Sequence, residues 1–218
     1  MALHLLVPVI VSILLNEIRS NAFRRISQTL IYLPHFLSWI ILAGIMIDLL
    51  SPNGGLVNRF LGLFGAEPIF FLGSNKWFRF TLVFTDVWKE FGFGTIVYLA
   101  AITNIDPTQY EAATIDGANR FQRIMHVTLP NMRMIIVLMM VLSLGNVLNA
   151  GFDQVYNMYS EAVYPTGGIL DTFIYRLSFK NGLWGQSAAV SMFKSVVSTL
   201  FISVSYLCAY KFADYRVF

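Results

Sequence analysis

The run Asp86-Val-Trp88-Lys89-Glu90 holds the side chains of this sequence best able to do chemistry in apolar surroundings. Asp86 and Glu90 stand four apart, so a helix places them on one face, with Lys89 between them in sequence. Two carboxylates so placed can act as general acid and base. An indole beside a cation and amides can instead hold a sugar, by stacking and by hydrogen bonds to its hydroxyls. Asn146 and Asn149 close one apolar run, Gln154 and Asn157 follow it, and Lys194 lies inside the last run. Charges within apolar spans are functional candidates by default. Trp88, Lys89, Glu90, Asn146, Asn149 and Lys194 are therefore the candidates for a substrate pathway, with Lys89 and Lys194 suited to a carboxylated sugar. Each also has a structural reading: Asp86 and Glu90 near an outer interface, Lys89 snorkelling there. His4, His35 and His126 are too scattered for a metal site, and the lone Cys208 reads as a small buried hydrophobe. No Ser-His-Asp or H-E-x-x-H spacing occurs. The expectation is no catalytic residue and no metal.

These residues belong to a chain of 218 residues that is 56% hydrophobic and 12% charged, with mean hydropathy +0.64. Soluble domains carry about 25% charged residues, so the pattern is that of an integral membrane protein, an all-α polytopic helix bundle of about five spans. The apolar runs are Ala2–Leu15, Leu30–Leu50, Phe78–Ile102, Met134–Ala150 and Trp184–Tyr210. Pro34 and Gly44 inside the second run are tolerable in a membrane helix. The first run falls short of the roughly twenty residues that cross a bilayer. Neither a basic n-region nor an A-x-A site marks it as a signal peptide. It reads as a short tilted span or one whose beginning is truncated. Between the runs lie Asn16–Thr29, Ser51–Trp77 with a possible short helix over Leu56–Phe64, Asn104–Arg133, and the polar Phe152–Leu183. Placing Asn16–Thr29, Asn104–Arg133 and the C-terminus in the cytoplasm gives eight Lys and Arg inside against five outside, the expected sign. The net charge of +3 shows no basic stripe, which excludes nucleic acid as a partner. Small residues around Ser187, Ala188 and Ala189 suit close helix contact.

Residues 104–131 form a long polar segment between strongly apolar runs. Asp106-Pro107-Thr108-Gln109 is a helix start: a capping acid, proline at the first helical position, and a glutamine placed to close a capping box. Gly117 offers the left-handed residue that ends that helix. A second helix over Ala118–Val127 and an elbow at Leu129-Pro130 follow. Small Ala112 and Ala113, the single charge of Glu111, and apolar Tyr110 and Ile115 make a knob for a cleft in another protein, or a solvated loop helix.

The pattern Glu111-Ala112-Ala113, three residues, Gly117, nine residues, aliphatic Val127, one residue, Leu129-Pro130 resembles the EAA motif of ABC importer permeases. Val127 stands where isoleucine is commonest. Leu14-Leu15-Asn16-Glu17-Ile18-Arg19, Tyr32-Leu33-Pro34-His35-Phe36, Leu50-Ser51-Pro52 and Asp116-Gly117-Ala118 are similar to the carbohydrate branch, in the group linked to lipoprotein-associated oligosaccharide uptake. The resemblance covers essentially the whole chain. It implies a single transmembrane permease domain over 1–218 of the type I importer fold, in the plasma membrane, with a cytoplasmic coupling loop at 104–131. It further implies a second homologous permease, a cytoplasmic ATPase dimer and an extracellular sugar-binding lipoprotein, with membrane lipid around the spans. Tyr110, Glu111, Ala112, Ala113, Asp116 and Gly117 would dock the ATPase. The chain has no G-x-x-x-x-G-K-[ST] phosphate loop, so it binds no cofactor itself and ATP is hydrolysed by a partner. Such permeases have about six core spans, and the short first run fits a missing N-terminal portion. The rival readings are a polytopic membrane enzyme using Asp86 and Glu90, a secondary carrier, and an inactive truncated permease.

Overall fold

The computed structural model describes residues 2–145 and 147–213, and every regular element among them is a helix. Helix α1 (Ala2–Asn16) keeps Pro8 inside, and its buried Ser12 hydroxyl donates to Val9 O at 2.7 Å, so the apolar run hides no unpaired hydroxyl. The expected span over Leu30–Leu50 is not one helix. Helix α2 (Asn21–Tyr32) starts at the Ser20 cap, gives way to a tight 3₁₀ turn at Leu33–Phe36, and helix α3 (Trp39–Leu50) begins anew at the Ser38 cap. Pro34 offers no N–H and disfavours a helical residue before it, and the Ser38 hydroxyl accepts from Ile41 N–H at 3.3 Å, which fixes the restart. Most of the expected Asn16–Thr29 connection is thus the first part of α2, an amphipathic helix.

Helix α4 (Leu56–Gly62) forms within the expected Leu56–Phe64 stretch. Asn58 fixes its surroundings: its buried amide donates to Leu50 O, Ser51 O and Ile69 O, and accepts from Ile69 N–H at 2.8 Å. Helix α5 (Phe78–Thr103) is long enough to cross a bilayer, with its interior threonines satisfied by carbonyls of the preceding turn. Helix α6 (Pro107–Ile115) is followed by α7 (Arg120–Arg123), a π-helical turn at Ile124–Thr128 and α8 (Leu129–Gly145), which together run without interruption. The elbow expected at Leu129-Pro130 is therefore absent. Leu129 N–H reaches back five residues to Ile124 O, and this wider turn relieves the clash a proline ring makes with the carbonyl four residues earlier. The segment from Phe152 to Leu183 is not the plain polar connection expected. It folds into α9 (Phe152–Met158), α10 (Tyr164–Gly167) and α11 (Leu170–Tyr175), and a second π-helical turn at Arg176–Lys180 leads to α12 (Trp184–Ala213).

By length and apolar composition, Arg120–Leu144 and Trp184–Leu207 qualify as membrane spans, and α2 with α3 counts as a third only as a broken pair. Helix α1, at 15 residues, is shorter. Helix α5 carries Asp86, Lys89 and Glu90 at mid-length, which sets it apart from an ordinary lipid-facing helix.

The residues gather in two compact units. One comprises residues 1–35, 89–145 and 199–218, the other 36–88 and 146–198. The first is built on Val9, Tyr98, Ile102 and Met132, packed by Ile13, Leu129, Ile135, Ile136 and Met139. The second is built on Ala43, Leu72, Phe78, Met158 and Val163, packed by Trp39, Met46, Leu50, Leu82 and Tyr159. Helices α5 and α12 each give residues to both.

Candidate functional site: the docking loop and the polar clusters of the helices

Helix α6 is closed at both ends by its own sequence. The Asp106 carboxylate accepts from Thr108 N–H at 2.9 Å, and this bond holds its pKa below the usual carboxylate range. At the other end Ala118 N–H donates to Ala113 O at 2.9 Å and Gly117 N–H to Thr114 O at 3.1 Å. That pair of bonds is a Schellman turn, and Gly117 sits at φ +79° to make it. The capping box expected at Gln109 forms elsewhere: Asn119 and Gln122 cap α7 reciprocally at 2.7 and 2.9 Å. Gln109 instead accepts from the Asn131 amide at 2.8 Å. This bond, Tyr110 Oη to Thr128 Oγ1 at 3.0 Å, and Arg123 to Thr114 Oγ1 at 3.3 Å tie α6 to the long helix behind it.

No residue of α6 is buried. Glu111, Ala112 and Asp116 are exposed, and Ile115 is 86% exposed, unusual for an isoleucine in a folded helix. Tyr110 is half-buried and braces the helix from behind. Behind it, a cleft of about 380 Å³ carries Glu17, Arg19, Arg120 and Arg123 on its walls, with Arg120 at 3.8 Å from the Glu17 carboxylate. His126 is exposed, with its ring nitrogen Nδ1 at 3.0 Å from Gln122 O.

The pathway candidates fall into separate groups. In the first unit, Lys89 is buried, and its ammonium donates to His35 O at 2.9 Å and to Glu90 at 3.1 Å. Glu90 also meets His35 Nδ1 at 2.8 Å, and the His35 ring stacks on Phe93 at 4.2 Å. Lys89 therefore does not snorkel; it ties α5 to the 3₁₀ turn that ends α2. A close approach of backbones allows this contact. A Cβ at Gly92 would stand 2.1 Å from Ile31 O, so only glycine fits there.

In the second unit, Lys194 meets the Asp171 carboxylate at 2.5 Å, with both side chains largely shielded. Asp171 escaped sequence reasoning because it lies in a segment read as a connection. Trp88 is half-buried on α5, and the buried Gln154 amide donates to Leu82 O and Thr85 Oγ1, both at 2.8 Å. Asn149 is exposed and lies beyond the end of α8, not on its face; Asn146 falls outside the described residues. A chain of rings also links Phe152, Tyr156, Tyr175, Phe179 and Trp184, with successive centroids 4.8 to 5.3 Å apart. Among the described residues no group of His, Cys, Asp and Glu could hold a metal ion.

The family of binding-protein-dependent transport system inner membrane components matches residues 5–217. The polygalacturonan/rhamnogalacturonan transport system permease protein YteP of Bacillus subtilis (strain 168) is 38% identical over 218 residues, all of this chain and 68% of the relative. Protein LplB of the same organism is 40% identical over 211 residues, 97% of this chain and 66% of the relative. The chain thus spans about two thirds of the length of these curated relatives. A crystal structure of a bacterial ABC transporter that imports the acidic polysaccharide alginate superposes with a TM-score of 0.91 at 36% identity, over 94% of this chain and 72% of that one. A crystal structure of a bacterial alginate ABC transporter in complex with an alginate pentasaccharide-bound periplasmic protein superposes with a TM-score of 0.91 at 36% identity, over 95% of this chain and 72% of that one. An inner membrane component resides in the plasma membrane. The chain belongs to the binding-protein-dependent transport system inner membrane components, and it is a carbohydrate ABC importer permease, a transport protein and not an enzyme.

Proposed function

We propose that this chain forms one half of an oligosaccharide pathway and receives the force of ATP hydrolysis through α6 and the Gly117 turn. The observation that carries this reading is α6 itself, a short helix with no buried residue, capped at both ends and bonded at its back to the helix running into the membrane. Such a helix is rigid without being part of a core, which suits a lever. Glu111, Ala112, Ala113, Asp116 and Gly117 make its contact surface, and Tyr110 braces it. The loop and the C-terminus lie in the cytoplasm, in keeping with the distribution of Lys and Arg. The partners are a second homologous permease, a cytoplasmic ATPase dimer that holds the ATP, and an extracellular sugar-binding lipoprotein. The cargo is an oligosaccharide. Those of acidic sugars are the first to test, given the polygalacturonan/rhamnogalacturonan relative and the alginate transporter.

Replacing Glu111 with Lys puts a cation where the docking face has its acid. The variant is expected to enter the membrane normally and to lose most of its co-purification with the ATPase. Undiminished co-purification would remove α6 from the docking site. Uptake driven by a proton or sodium gradient in vesicles without any ATPase would favour a secondary carrier instead.

A further inference from the structure

The unit made of residues 36–88 and 146–198 holds a cleft of about 410 Å³ that none of the preceding roles uses. It opens where the end of α3, the turn after it, the segment around Phe70 and the end of α9 meet. Its base is core: Leu72 and Met158 belong to the buried cluster of this unit. Its walls carry Asn53, Phe70, Asn157 and Tyr159, with serine hydroxyls at positions 51 and 160. No charged side chain lines it.

The cleft is built, not incidental. The four hydrogen bonds of Asn58 join the end of α3 to Ile69 and hold the Ser51 wall against the Phe70 wall. The opposite wall is fixed by α9, where the Asn157 amide nitrogen donates to Asp153 O at 2.7 Å. Tyr159 is held between Tyr164, with centroids 4.8 Å apart, and Tyr156 at 6.3 Å. Two aromatic rings among amides and hydroxyls, on a rigid base and without charge, match one class of ligand. A pyranose offers an apolar C–H face to a ring and hydroxyls to amides.

The geometry points to this cleft as an outer sugar site, which takes one residue of the oligosaccharide through its ring face and hydroxyls before the cargo enters the helices. The assignment rests on the proposed orientation: with the α6 loop in the cytoplasm, one crossing by α5 leaves the connections before it and after α8 on the outer side, where the binding protein releases its cargo.

The test uses the permease assembled with its partner subunits in nanodiscs, with galacturonate and alginate pentasaccharides as probes. Phe70→Trp keeps a stacking ring and adds a reporter, read as the difference from the wild-type complex. A saturable emission change on adding pentasaccharide is expected, weakened about three- to tenfold in affinity by Asn157→Ala or by Asn53→Ala, the worth of one hydrogen bond. Asn53 lies on an exposed turn, so its replacement tests recognition without disturbing folding. No saturable change, or one indifferent to both asparagines, overturns the site. A change produced by sugar-free binding protein alone also overturns it and makes the cleft a protein dock. Uptake assays separate the two readings: a complex that imports either pentasaccharide with ATP while the reporter stays silent loses only the cleft. One that imports neither loses the acidic cargo of the proposed function, whatever the reporter does.

Discussion

A lysine ammonium in the third turn of α12 is costly unless a carboxylate meets it, and Asp171 from the first turn of α11 does so at 2.5 Å. The pair is shielded enough that removing one partner leaves an uncompensated charge. Lys194→Ala and Asp171→Ala are each expected to lower stability by up to ~3 kcal/mol, the low end for a broken buried pair. The double replacement should recover much of that loss. Thermal unfolding of the four proteins in detergent measures the coupling, and strictly additive losses would mean the pair contributes nothing. Tyr98 presents the opposite case. It is 1% exposed, and its hydroxyl has no hydrogen-bond partner among the described residues. Leaving a polar atom buried and unpaired costs free energy that phenylalanine avoids. Tyr98→Phe is therefore expected to be neutral or to stabilise by about 1 kcal/mol, and a clear loss of melting temperature would show that the hydroxyl has a partner in the assembled transporter.

At the scale of the element, α6 was the most legible part of the chain. Asp106, Pro107 and Gly117 are local signals whose effect needs no tertiary contact, and the helix they bound is the helix found. The misreadings arose where a distant contact decides. Gln109 left its expected capping role because Asn131 offered an amide, and at the α2–α3 break Lys89 and Glu90, more than fifty residues away, hold at His35 the turn that Pro34 and Ser38 begin locally. Leu129-Pro130 read as an elbow because a π-helical turn has no sequence signature of its own. The docking helix then yields two predictions. Gly117→Ala forces a Cβ into a left-handed conformation that costs roughly 1–2 kcal/mol, with no steric obstacle, since nothing lies within 4 Å of the added atom. It should speed amide exchange in the last turn of α6 and weaken ATPase association, while exchange in α8 stays unchanged. The Asp106 cap adds a pH dependence. Its folded pKa is depressed by the Thr108 N–H, so the cap is in full effect above the ordinary aspartate value of about 3.9. It is lost as pH falls through the lower folded value. Exchange at Thr108, compared with Asp106→Asn, which caps without titrating, reads this directly: equal acid sensitivity in both would place the effect elsewhere.

At the scale of the whole molecule, the outward surface of α12 carries the argument. Met192, Phe193, Val196, Leu200, Ile202, Val204 and Leu207 are all exposed, more apolar surface on one helix than water tolerates. In the proposed assembly lipid and the second permease share it, with the protein partner distinguished from lipid by side-chain packing. A charge scan along α12 separates the two. Arginine at a lipid-facing position costs roughly 2.5–3.5 kcal/mol in membrane insertion and should lower the amount of inserted chain without changing subunit stoichiometry. Arginine at a position covered by the second permease costs the lone chain a similar amount on insertion, and in addition it should dissociate the assembly formed by the chains that do insert. The assembled particle, measured by native mass spectrometry from nanodiscs, is expected to hold one copy of this chain, one second permease and two ATPase subunits. A particle with two copies of this chain and no second permease would instead assign the exposed α12 face to self-association, and the arginines that dissociate it would then map a symmetric seam.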